Sequence, residues 1–331
     1  MITYDAKIFI LLQKIKISRF IKIFIKFQWV KILVILGFLF VALILGLFTY
    51  FFSKASFMFL QTYPQFLASM VFYILATWFF LIFLLTLGSS FISSMAMFFS
   101  QEDDDLLLSF PIKSQLIFES RFLDLLIINS WPTLVFGVPL LMSFHHSFNL
   151  DSISFILSIL VLMLVLLISG FISSILALVI TYFSGSIGKK IINIVSIISL
   201  PFFAWGVATI LIPPNLTENF QKLHLEEISA YLKSLPINSL IFPSTWAVNI
   251  IYYWQESRLF ALLNLERMLL FLSLLILTAY ILVKKIYYSS LNKANVGRFI
   301  AGKQDIISKN INTKVFPYFL KSIKGAFIEK D

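Results

Sequence analysis

The chain has 331 residues, of which 60% are hydrophobic and 13% charged, with mean hydropathy +0.94 and net charge +10. A soluble domain carries about 25% charge, so composition excludes a water-soluble globule and makes lipid the solvent of most of the chain. Zero cysteines exclude disulfides and thiolate metal sites without identifying a compartment.

Residues 5–27 come first in chain order. Lys14, Ser18, Lys22 and Lys26 recur every four residues, so they share one helix face, while Phe20, Ile21, Phe24, Ile25 and Phe27 take most of the rest. The pattern predicts a basic amphipathic helix in the headgroup layer over 1–30; plain positive flanking charge is the simpler reading. The apolar run after Lys31 is too long and starts too late for a cleaved signal, and reads as a retained span.

Charge-free stretches at 32–53, 55–101, 125–150, 152–188 and 191–217 are each long enough for the roughly 20 apolar residues a span needs. The stretch 268–283 reaches that length if Glu266 and Arg267 lie at the interface. Six spans are expected near 32–53, 66–90, 122–144, 154–182, 191–212 and 262–284, giving an all-α integral membrane domain over 31–290 with a basic tail over 291–331. Placing both termini in the cytoplasm puts 21 of the 26 Lys and Arg inside, as cytoplasmic loops require. The largest outer segment, 213–262, mixes polar and apolar residues around Pro213, Pro214, Pro236 and Pro243, and short helices on the outer surface are expected there. Pro132, Pro139 and Pro201 inside spans either loosen or kink their helices.

Motifs for chemistry are sparse. The sequence "GSIGKK", Gly185 to Lys190, has two residues between its glycines where a phosphate loop has four, and Lys190 where a hydroxyl belongs. A phosphate site is not expected there. His145 and His146 are adjacent, so they point apart on a helix, and Asp151 is the nearest acid; a zinc site draws its ligands from better-spaced positions. Asp124 lies inside a proposed span near its cytoplasmic end and no span carries an acid at mid-depth, so an ion-coupled carrier lacks its mid-membrane groups.

The segment 101–121 stands out. Glu102, Asp103, Asp104 and Asp105 are followed at once by Leu106, Leu107 and Leu108, then Phe110, Pro111 and Ile112. Pro111 turns Phe110 out of helical geometry, and Ser114 can cap a helix that runs into the third span. Apolar tips flanked by acids suit docking to a protein groove better than docking to anionic headgroups, which repel carboxylates.

The order "EDDDLLLSFPIKSQLIFESRFLDLL", with Arg121 in the basic position, resembles the cytoplasmic loop of ABC-2-type permeases, in particular the "putative ABC exporter" family. "FPSTWAVNIIYYW", residues 242–254, is similar to that family's outer segment before the sixth span. The resemblance implies a permease subunit, or half-permease, of an ATP-driven exporter in a bacterial cytoplasmic membrane. It implies no catalysis and no bound cofactor in this chain, with ATP and Mg on a separate ATPase subunit that receives the 101–121 loop. It also implies a second permease half or a second copy as partner, and no nucleic acid. The chain ends near where such proteins begin a second six-span half, so it reads as one half or as a truncated product. The alternatives are an integral-membrane enzyme acting on lipid and a non-transporting membrane assembly protein. The enzyme would gather Asp124, His145 or Glu266 in one cavity, a convergence not expected here.

Overall fold

The computed structural model describes residues 29–99, 114–184 and 242–315. Among them every regular element is helical: α1 (Trp29–Gln61), α2 (Pro64–Phe99), α3 (Ser114–Ile128), a π-helical turn (Thr133–Gly137), α4 (Val138–Phe148), α5 (Ser152–Ser184), α6 (Pro243–Tyr253) and α7 (Arg258–Val315). The expected amphipathic helix over 5–27, the span at 191–212 and the acid-leucine loop lie outside the described residues.

Five helical stretches are long and apolar enough to cross a bilayer: Leu33–Gln61, Met70–Phe98, Ser114–Phe148, Ser152–Phe183 and Arg258–Tyr287. Each matches one of the expected spans. At 1.5 Å per residue all of them exceed the roughly 30 Å hydrocarbon core. Several buried hydroxyls inside them bond to their own helix, as in Thr86 to Ile82, Ser174 to Gly170 and Thr181 to Ala177. Donating to the carbonyl one turn back satisfies a hydroxyl where no water is at hand.

The span at 114–148 is not one helix. Pro132 has no N–H to donate, and five residues of π-helix follow it before α4 resumes the α-helical pattern. Pro132 therefore marks an irregularity in register, whereas Pro139 sits in the first turn of α4, where proline is tolerated. Asn149 closes α4 in the left-handed region at φ 50, its N–H returning to the His145 carbonyl. Asparagine is among the few residues that adopt this cap readily.

The helices alternate in direction, so one end of the bundle collects Gln61, Asn149–Asp151 and Gln255, and the other collects Phe98, Arg121 and Tyr287. Gln61 donates to the Ser147 carbonyl at 2.7 Å, and Gln255 donates to Asp151, at the first end. A large core spans the middle, with Phe57, Leu75, Phe79, Leu140, Leu162, Ile168 and Val248 fully or almost fully buried. Outward faces carry bare apolar side chains, such as Phe40 on α1 and Leu270 on α7, which suits a lipid solvent.

Two expectations change. The motif at 242–254 does not lie on an outer surface. It forms α6, whose Ala247, Val248 and Ile250 are fully buried. Phe242 packs edge-on against Phe80, and Tyr252 against Phe72. Phe80 lies about 15 Å along α2 from Met70 at 1.5 Å per residue, so α6 rises from near mid-depth to the Gln61 end as a half-helix enclosed by α2, α5 and α7. Its mixed composition, which suggested an interfacial surface, instead serves a helix buried in protein. There its Asn249 meets Asn264 of α7 at 3.4 Å, and backbone ends at membrane depth are tolerated inside protein. The second change concerns the last span, which runs on without a break to Val315. The beginning of the basic tail is thus a helical continuation of α7.

Candidate functional site: the Arg121 junction

Arg121 sits on α3, two turns from its start, and is 3% exposed. Its Nη1 donates to the Phe98 carbonyl at 2.9 Å and to the Tyr287 hydroxyl at 3.2 Å. The acceptors belong to the last turns of α2 and to α7, so one guanidinium joins three helices. A buried charge is costly unless its donors are used, and Arg supplies five of them in a planar fork.

Local sequence explains the placement. Phe118 and Phe122 lie three and one residues from Arg121, so they flank it on the packed side of α3. Phe98 stacks on Phe118 with centroids 4.9 Å apart, and Tyr287 meets both rings edge-on, at 6.4 Å from Phe98 and 6.2 Å from Phe118. Phe122 packs on Phe171 of α5 at 4.2 Å. Gly170 lets that approach happen: a Cβ there would come within 2.9 Å of Leu126 and 3.4 Å of Phe122. Four helices thus converge on a polar pin wrapped in aromatic rings.

Of the residues singled out in the loop, Glu102, Asp103, Asp104, Asp105, Leu106, Leu107, Leu108, Phe110, Pro111 and Ile112 lie outside the described residues. Arg121 alone is described, and it faces the bundle. Ser114 is the first residue of α3 and is buried. The loop leaves α2 just beyond Phe98 and re-enters at Ser114, so the Arg121 pin stands at its base.

A second polar group lies further in. Asn129 accepts from Ser89 and, at 3.1 Å, from Ser93, while its amide donates to the Leu125 carbonyl at 2.8 Å. It ties α2 to the chain immediately before the π-helical turn, a link that serine and asparagine composition did not announce. Asp124 and His145 stand at opposite ends of the same span. No group of three or more His, Asp or Glu able to hold a metal occurs among the described residues.

At the opposite end, His145 is buried and shares a 3.1 Å hydrogen bond between Nε2 and Ser158 Oγ. Ser158 donates to the Ser154 carbonyl, so the imidazole nitrogen facing it is the donor. Asp151 accepts from Ser154 and Gln255. Those bonds, the one from Ser154 foremost, hold its carboxyl below the usual carboxylate range.

Helices of this length, apolarity and alternation, wrapped around buried pins, define a multi-pass membrane protein. Within that class the chain belongs to the family described as "Putative ATP-binding cassette", whose pattern it matches over residues 24–331. No curated protein and no solved structure matches the chain. The family corrects the resemblance drawn from the loop. It is described as an ATP-binding cassette, which displaces the ABC-2-type permease assignment, the half-permease function and the separate ATPase as the required partner. The error has a physical source. Short leucine-proline loops and apolar spans are shared by many membrane proteins, whereas family membership rests on a pattern across nearly the whole chain. The phosphate-loop template likewise reads one local solution to nucleotide binding, and says nothing of others.

Proposed function

We propose that this chain is the membrane-embedded body of an ABC transporter that engages ATP itself, in a bacterial cytoplasmic membrane, with six spans and both termini inside. The observation that carries the reading is the family match over 24–331, which takes in all five apolar helices together with the connecting segments. The excess of Lys and Arg assigned to the Arg121 end supports placing that end in the cytoplasm.

In this reading the Arg121 junction is the mechanical link. Nucleotide engaged on the cytoplasmic side acts on the loop between α2 and α3, whose two stems meet at the guanidinium. Because Arg121 also grips α7, a displacement of the loop base is passed to the spans as a unit.

The test is equilibrium binding of MgATP to the purified full chain in lipid nanodiscs, followed by displacement of a fluorescent ATP analogue. Saturable binding in the micromolar to millimolar range, with phosphate release on turnover, is expected. A chain that shows no saturable nucleotide binding overturns the reading.

A further inference from the structure

The end of the bundle opposite Arg121 carries a cavity of about 290 Å³, lined by Val71, Phe144, Phe148, Ile251, Tyr252 and Glu256 among others. That is at the lower edge of the roughly 300–1,000 Å³ typical of small-molecule sites. Its walls come from α2, α4, α5 and α6 and from the turns that carry Leu150, Gln255 and Glu256.

Its chemistry is divided. Phe144 and Phe148 form one wall, braced by Phe57 of α1 at 5.7 and 5.8 Å and by each other at 5.2 Å. Tyr252 forms the other, braced by Phe72 at 5.5 Å. Rings fixed in this way need no further ordering when a ligand enters. The exposed Glu256 belongs to the lining, as do Gln255 and Ser154, which donate to the Asp151 carboxylate beyond it.

Aromatic rings, the Glu256 carboxylate and the apolar Val71 and Ile251 in one lining fit one ligand class. An ammonium is attracted by ring quadrupoles and by carboxylate charge together, while the apolar lining takes a hydrocarbon body. An anion meets the Glu256 carboxylate, and a neutral hydrocarbon gains only the apolar lining. We infer that the cavity between α4 and α6 is a binding site for small amphipathic organic cations, with Glu256 and the Tyr252, Phe144 and Phe148 rings as its recognition elements. The inference does not rest on nucleotide engagement, and its test is read without ATP.

The experiment is titration of the full chain in nanodiscs of neutral lipid with benzyltrimethylammonium, followed by saturation-transfer NMR. Its neutral isostere neopentylbenzene and the anion phenylacetate serve as comparison probes. Saturable binding of the cation is expected, at least tenfold tighter than either comparison. Glu256→Gln is expected to weaken it about tenfold and Tyr252→Leu at least as much, whereas Glu266→Gln on α7, outside the cavity lining, leaves it unchanged. Equal binding of the neutral isostere, or wild-type affinity in a folded Glu256→Gln variant, overturns the assignment. If Tyr252→Leu fails to fold, Tyr252→Phe, which keeps the ring face, is expected to bind within a factor of three of wild type. A larger loss in that variant would contradict recognition by the ring.

Discussion

The Arg121 guanidinium donates to the main-chain carbonyl of Phe98, 23 residues earlier, across the base of the loop that joins their helices. The last carbonyls of a helix have no partner within it, so α2 ends on an acceptor that α3 fills. The same nitrogen reaches Tyr287, which brings α7 into the junction. An arginine that reads in sequence as a surface contact is thus an internal fastener.

Replacing Arg121 with Met keeps most of the volume and removes both bonds. Each charge-assisted hydrogen bond contributes roughly 1.5–3 kcal/mol, so the variant is expected to lose at least one such contribution and to unfold at lower temperature in the same detergent. Arg121→Lys should recover part of the loss, because a single ammonium cannot reproduce the planar fork. Thermal unfolding followed by circular dichroism checks both; an unchanged midpoint for Arg121→Met would remove the fastener role.

Tyr287→Phe isolates one arm of the junction. The ring contacts with Phe98 and Phe118 survive, and only the hydroxyl acceptor is lost. The expected cost is about 1 kcal/mol, and a double-mutant cycle with Arg121→Met should show the two changes to be strongly non-additive. Simple additivity would mean that the hydroxyl and the guanidinium act separately.

Gly170 and Gly37 provide a matched pair. A Cβ at Gly170 meets Leu126 at 2.9 Å, whereas nothing lies within 4 Å of one at Gly37. Gly170→Val is expected to destabilise the bundle by about 1–3 kcal/mol through overpacking, and Gly37→Val to be near neutral. The comparison is made by thermal unfolding in one detergent, and similar effects at both sites would contradict the close approach of α3 and α5.

Asp151 offers a pH test. Its folded-state pKa is depressed, chiefly by the bond from Ser154 and then by that from Gln255. The stabilisation from these bonds is therefore complete above the unfolded value of about 3.9 and is lost as pH falls through the lower folded value. Ser154→Ala should raise the Asp151 pKa toward the ordinary carboxylate value, as read by carboxyl-carbon NMR titration. No movement would mean that the serine does not hold the carboxylate.

The spans were legible because a bilayer imposes a length and forbids charge, and both constraints are written directly in residue type. Five of the expected spans coincide with helices for that reason. What was not legible depends on partners far away in sequence. Arg121 looks the same on paper whether it faces water or Phe98, since its burial is decided by Tyr287, 166 residues on. Residues 243–253 read as surface because serine, threonine and asparagine sit among their apolar residues. Inside the bundle those groups meet other polar side chains, as Asn249 meets Asn264. The π-helical turn followed a visible proline, yet proline alone does not specify which irregularity results. The loop at 101–113 carried a resemblance that the family pattern corrects, because local motifs of leucine and proline are reused widely.

The most direct test of nucleotide-driven motion at the Arg121 junction uses spin labels at the exposed positions 127 on α3 and 280 on α7, with the full chain in nanodiscs. Double electron–electron resonance with and without MgATP is predicted to give two distinct distance distributions in the otherwise native chain, and a single nucleotide-insensitive one after Arg121→Met. One unchanged distribution in the native chain at saturating MgATP would contradict the account.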